Sequence, residues 1–169
     1  MSQKSLLFLD VDGVLHPLRL EFKDGKIIDD HCFQPACMQQ LKRVVEATGA
    51  EIVLSSSWRA YEGPRLKLLQ ALQPYGLTFT RWTTTLDLDG TRGSQILHFV
   101  SQNAAQVGEW AVVDDEPLLR AAAPGSLMEG VVAARAVKTD GAVGMTAADA
   151  DALIAILTGA GDAGAGEDE

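Results

Sequence analysis

The chain has 169 residues, 47% of them hydrophobic and 22% charged, which is enough for one domain with a buried core. Lys and Arg number 14 against 23 Asp and Glu, a formal net charge of −9. That balance excludes a protein whose main work is gripping nucleic-acid backbone without sequence preference, yet it leaves room for a phosphorylated substrate, because one bound metal ion reverses the sign of a small site.

Ser5 to Leu9 is a short unbroken apolar run ended by Asp10 and the turn-prone pair Asp12-Gly13. It has the pattern of a strand buried on both faces of a parallel sheet. No secretory signal tolerates Asp10 and Asp12 there, and no later stretch has the apolar length of a membrane span, so a cytoplasmic protein is expected. Leu18 to Asp30 sets Lys23-Asp24-Gly25-Lys26 between apolar residues, a β-hairpin signal placed to act as a flap beyond the first strand. Cys32 and Cys37 are too few for a disulfide framework or a four-ligand zinc site and read as free thiols.

Pro35 to Ala47 carries Met38, Leu41, Val44 and Val45 at helical spacing, with Gly49 as the stop. Ala50 to Leu54 repeats the strand pattern and ends in Ser55-Ser56-Ser57. A second helix runs from Pro64 to Leu72, its leucines read as core. Thr78 to Arg92 holds one more strand and a loop with Asp87 and Asp89, and Trp82 reads as lining the pocket or filling the core, the core being favoured. Ser94 to Val100 is helical, and Trp110 to Val113 is a strand ending in Asp114-Asp115-Glu116. Val131 to Val137 reads as a further strand; Thr146 and Asp149 then have capping-box spacing ahead of a last helix.

Strand and helix alternate, which indicates an α/β fold with right-handed crossovers: a Rossmann-like three-layer sandwich around a central, mostly parallel sheet. Residues 1–158 read as one domain and 159–169 as a disordered Gly/Ala/acidic tail.

Three of these strands end in polar groups at their carboxyl edges, where the ligand crevice of an open α/β sheet lies. Four carboxylates gathered there, Asp10, Asp12, Asp114 and Asp115, would repel one another. A hard divalent cation resolves the conflict, and oxygen-only ligation points to Mg²⁺. Asp10 and Asp12 have the spacing to face one side, with Val11 turned into the core. One carboxylate can then attack an electrophile while its neighbour gives or takes a proton. Gly13 permits the turn and the close approach of a ligand.

A lone D-x-D is as readily a pair of turn-forming aspartates; the second acidic pair at another strand end tips the reading toward a site. His16, His31 and His98 read as loop, helix-surface or partly buried residues, and Trp58 as packing beneath the site. Arg59 reads equally as a contact to a substrate phosphate or to a surface carboxylate.

Phe8-Leu9-Asp10-Val11-Asp12-Gly13-Val14-Leu15 resembles the first motif of the haloacid dehalogenase-like (HAD) superfamily, and Val53-Leu54-Ser55-Ser56 resembles its second. Arg92 is placed like the basic residue of the third motif, with Arg81 and Arg59 as alternatives, and Val112-Val113-Asp114-Asp115 resembles the fourth. The run Ser55-Ser56-Ser57-Trp58-Arg59 is similar to that of a group of small bacterial HAD proteins, some relatives of which occur in RNA-repair contexts.

The resemblance implies a HAD-like phosphatase with a small hairpin flap and no large cap domain. It implies Asp10 as a nucleophile that becomes an aspartyl-phosphate, and Asp12 as general acid and base. Mg²⁺ would be held by Asp10, the Asp12 backbone carbonyl, and Asp114, Asp115 or both. Ser56 or Ser55 would bond a phosphate oxygen, and Arg92 would neutralise charge. Asp12 favours phosphoester hydrolysis over dehalogenation, since a halide leaves without a proton. The expected partner is a phosphorylated small molecule or a nucleic-acid end; in the latter case Arg59, Arg65, Arg81 and Arg92 should form a basic patch, and their dispersal would count against it.

Two other readings compete: a receiver-like signalling domain phosphorylated without turnover, and a degenerate HAD fold used as a binding module. Receivers carry their acidic pair after the first strand and the acceptor on a central one, whereas here D-x-D comes first and D-D late. The intact acidic set argues against lost catalysis.

Overall fold

The computed structural model describes residues 2–18, 21–24, 26–28, 33–86, 91–118 and 127–160. His31, Cys32, the Asp87 and Asp89 pair and residues 161–169 of the expected tail lie outside them.

Five parallel strands form the central sheet: β1 (Lys4–Leu9), β4 (Glu51–Leu54), β5 (Phe79–Trp82), β6 (Val107–Asp114) and β7 (Ala136–Lys138). The intervening β2 (Glu21–Lys23) and β3 (Lys26–Ile28) make the separate antiparallel hairpin, whose turn residue Asp24 takes a φ of 54°. Five α-helices stand among the described residues: α1 (Pro35–Thr48), α2 (Glu62–Leu72), α3 (Arg92–Gln102), α4 (Leu127–Arg135) and α5 (Ala147–Thr158). Among the described residues there is no cap domain, and no helix is long and apolar enough to cross a membrane.

The sheet order is β5-β4-β1-β6-β7. The chain steps outward from β1 through β4 and β5, then returns to the other side of β1 for β6 and β7. That reversal makes β1 the topological switch point, and its carboxyl end opens the crevice.

Strand alternation divides the core between the two faces. Leu7, Leu9, Ile52, Leu54, Ala111 and Val113 pack with α1, α2 and α5 through Met38, Leu41, Leu68, Leu72, Leu153 and Leu157. Leu6, Phe8, Val53, Trp110 and Val112 turn to the opposite face, where they meet Ile96 of α3 and Val132 of α4. Phe8 meets Phe99 and Trp110 edge-on, at centroid distances of 5.6 and 5.9 Å. Each such fully buried side chain contributes about 1.5–3 kcal/mol, which holds the central strands rigid beneath the site.

Helix ends follow the sequence signals. Thr146 caps α5 and completes the capping box with Asp149, while Gly49 ends α1 at a φ of 67°. Three expectations need correction. Val131 to Val137 is mostly helix: α4 runs to Arg135 and only Ala136–Lys138 is strand. Ala133 and Ala134 favour the helix, and Val132 supplies its buried contact. Leu66 is 53% exposed, because α2 buries only Leu68 and Leu72 fully. Trp82 is 40% exposed at the sheet's edge, with the Arg65 guanidinium 4.4 Å from its ring centroid.

Candidate active site

Beyond their last paired residues the strands remain stitched to one another. Asp10 donates its backbone N–H to Val113 O (3.1 Å), Ser55 to Leu9 O (2.9 Å), Thr83 to Leu54 O (3.0 Å) and Thr139 to Asp114 O (3.0 Å). The polar residues at the strand ends are thus positioned by the sheet itself.

Asp10, Asp114 and Asp115 each offer an oxygen within 4.8 Å of the other two. The Arg92 guanidinium, carried at the start of α3 behind the N-cap Thr91, reaches into this group. Its Nη1 lies 2.6 Å from Asp114 Oδ2 and 3.2 Å from Asp10 Oδ1. Asp114 Oδ1 accepts the backbone N–H of Glu116 at 3.0 Å.

One guanidinium does not balance three carboxyls. Burial, then the charge of Asp114 and a hydrogen bond with Asp115, push the Asp10 carboxyl from 3.8 up to about 9, against the opposing pull of Arg92. Asp115 is also raised, by burial first and then by Asp114. Burial pulls the Arg92 guanidinium down, but Asp10 and Asp114 outweigh it and hold the group above its ordinary value. Three hard oxygen donors and an excess of negative charge fit a divalent cation such as Mg²⁺.

Asp12 is not part of that cluster. Its carboxylate Oδ1 lies 2.9 Å from His16 Nε2, and Oδ2 accepts the Trp58 indole N–H at 3.0 Å. Both partners had read as bland residues. Gly13 follows with a φ of 74°, and its carbonyl accepts the Thr139 hydroxyl at 2.8 Å. Two further bonds tie the loop after β7 to the loop after β1: Leu18 N to Gly141 O (2.7 Å) and Met145 N to Val14 O (2.8 Å). Gly141 also flanks the Asp115 carboxylate. Nothing local in Thr139-Asp140-Gly141 ties this second loop to the first; bonds between residues far apart in sequence do so.

Ser55 and Ser56 are both fully buried. Ser56 Oγ accepts the Trp58 backbone N–H and caps the short 3₁₀ turn Ser57–Ala60, whereas Ser55 Oγ has no hydrogen-bond partner among the described residues. Arg59 turns inward and donates to the carbonyls of Ser56 and Thr84 and to Gln95 Oε1. Its charge braces the loops beside the crevice. Arg65 donates to Arg59 O, and Arg81 pairs with Glu51 at 3.0 Å. All four arginines are thus engaged by protein groups, and Arg59 lies near enough to Arg92 for the two charges to repel.

Over residues 6–150 the chain matches the family model described as the HAD domain in Swiss Army Knife RNA repair proteins. The chain belongs to this family. The HAD domain so defined reaches from β1 into α5 and takes in the whole acidic cluster. Membership suggests a phosphatase-type hydrolase, and HAD domains commonly use a divalent metal, with which the three aspartates gathered at the switch point are compatible. No curated protein matches the HAD domain described here.

Proposed function

We propose that this HAD domain is a Mg²⁺-dependent phosphatase that hydrolyses a phosphomonoester through an aspartyl-phosphate on Asp10. The observation that carries the reading is the convergence of Asp10, Asp114, Asp115 and Arg92 at the carboxyl end of β1. Asp10 attacks phosphorus; an Asp10 O–P bond forms as the P–O bond to the leaving alcohol breaks. Asp12 gives that oxygen its proton. The same carboxylate then takes a proton from water, whose oxygen bonds to phosphorus as the Asp10 O–P bond breaks.

Arg92, beside Asp10 and Asp114, screens the approach of an anionic phosphate. Asp10, Asp114, Asp115 and the Asp12 carbonyl would hold Mg²⁺, which would supply the remaining positive charge. Ser55 or Ser56 donates a hydroxyl to a phosphate oxygen, and the orphaned Ser55 Oγ favours the first. The bare backbone of Gly13 leaves room for the Asp115 carboxylate beside the cluster. Arg59 serves here as a brace for the substrate-side loops.

For the substrate, the family's description favours a phosphorylated nucleic-acid end. The engagement of Arg59, Arg65 and Arg81 by protein groups counts against an extended nucleic-acid footprint. A terminal phosphate gripped with little more than its own nucleotide satisfies both observations.

The test is hydrolysis of a generic aryl phosphate by purified protein with Mg²⁺, alongside Asp10→Asn and an excess of chelator. Turnover that vanishes in both arms supports the mechanism; equal turnover in either rejects it. A panel of nucleotides, sugar phosphates, phosphopeptides and 3′- or 5′-phosphorylated oligonucleotides then assigns the substrate.

A further inference from the structure

We propose that His16 and Trp58 are positioning residues that hold the Asp12 carboxylate as the proton donor of this site, an inference that rests on the phosphatase reading above. Each oxygen of Asp12 has its own ring nitrogen, His16 Nε2 at 2.9 Å and Trp58 Nε1 at 3.0 Å. An indole N–H only donates, so Oδ2 is an acceptor. His16 Nδ1 lies 3.1 Å from the Pro17 carbonyl, which only accepts, so that nitrogen carries a proton and Nε2 is the one turned to Asp12.

The two rings come from different segments. Gly13 turns the chain back so that His16 bridges to Asp12, four residues earlier, while Trp58 arrives from the loop after β4. Phe33 braces both, edge-on to His16 at 6.1 Å and to Trp58 at 5.6 Å. His16 is 4% exposed, whereas the Asp12 side chain keeps 34% of its surface open. The carboxylate is therefore fixed at both oxygens yet reachable from the crevice. It also stays outside the cluster of Asp10, Asp114 and Asp115. A proton donor held in one orientation before substrate arrives loses nothing to reorientation during the reaction.

The experiment compares kcat/KM for para-nitrophenyl phosphate, whose leaving group departs readily as an anion, with that for an alkyl phosphate, whose alkoxide must be protonated. General-acid assistance is worth on the order of 10²–10⁴. Trp58→Phe and His16→Leu should lower the alkyl rate at least about tenfold more than the aryl rate, and His16→Gln, which retains an N–H donor, should recover part of it. Losses that are equal for the two substrates, or no difference between Gln and Leu, overturn the proposal while the phosphatase reading stands. Absence of Asp10-dependent hydrolysis in the wild type overturns both. A readout free of turnover accompanies these: the Trp58 indole N–H resonance should shift in Asp12→Asn, and an unmoved resonance removes the contact on which the proposal stands.

Discussion

Gly13 lies flush against Asp115, for the Cβ that Gly13 lacks would overlap the Asp115 carboxylate. The backbone there also has a φ of 74°, a conformation costing another residue about 1–2 kcal/mol. Gly13→Ala is therefore expected to lower the melting temperature and, by displacing Asp115, to shrink the stabilisation that added Mg²⁺ provides. Gly141→Ala, whose Cβ would stand 3.0 Å from the same oxygen, should be milder. Thermal denaturation with and without Mg²⁺ checks both, and an undiminished Mg²⁺ shift in Gly13→Ala contradicts the proposed role of Asp115.

Asp10 ties stability to pH in the metal-free protein. Its carboxyl holds a proton up to about pH 9 in the fold, against an ordinary value of 3.8. Between those limits the folded state binds one proton more than the unfolded state, so stability falls as pH rises, by up to about 1.4 kcal/mol per unit for a single proton. Asp10→Asn should flatten the decline between pH 5 and 8 in denaturation curves recorded with chelator. Parallel declines in the two proteins would show that Asp10 titrates elsewhere.

Arg92→Gln leaves Asp114 buried beside a neutral side chain. Loss of one partner from a buried pair costs on the order of 3 kcal/mol, and loss of an oriented cation costs roughly 10²–10³ in kcat. Denaturant titration in chelator should show the destabilisation, with added Mg²⁺ restoring a part because it returns positive charge to the same carboxylates. Wild-type stability in the variant would mean that the Arg92–Asp114 contact contributes nothing.

If a phosphorylated oligonucleotide is the substrate, the engaged arginines forecast a weak response to salt. Each phosphate neutralised on a single strand adds about −0.7 to the log–log slope. Hydrolysis measured from 50 to 200 mM salt should give a slope shallower than about −2 in kcat/KM. A steeper one would reveal a basic track that the positions of Arg59, Arg65 and Arg81 do not provide.

The sheet and the acidic cluster were legible because each depends on local pattern. Ser5 to Leu9, Ala50 to Leu54 and Trp110 to Val113 are apolar runs with polar ends, and those ends became the site. Residues whose roles come from distant partners were not. Trp58 lies 46 positions from the carboxylate it bonds, and His16 reaches Asp12 only through the turn at Gly13. Arg59 offered an exposed cation on paper, but the carbonyls of Ser56 and Thr84, fixed by two separate loops, draw it inward. Val131 to Val137 misled because valine pairs read as strand while the alanines between them extend a helix.

Thr139, Gly141 and Met145 follow β7, with Thr139 126 positions beyond Gly13, yet they clasp the segment that follows the first strand. During synthesis the two earliest aspartates leave the ribosome long before this clasp exists. A nascent chain that stops short of Thr139 carries every acidic residue of the cluster and still lacks the support that shapes it. The cluster's full support therefore waits for the residues that follow β7.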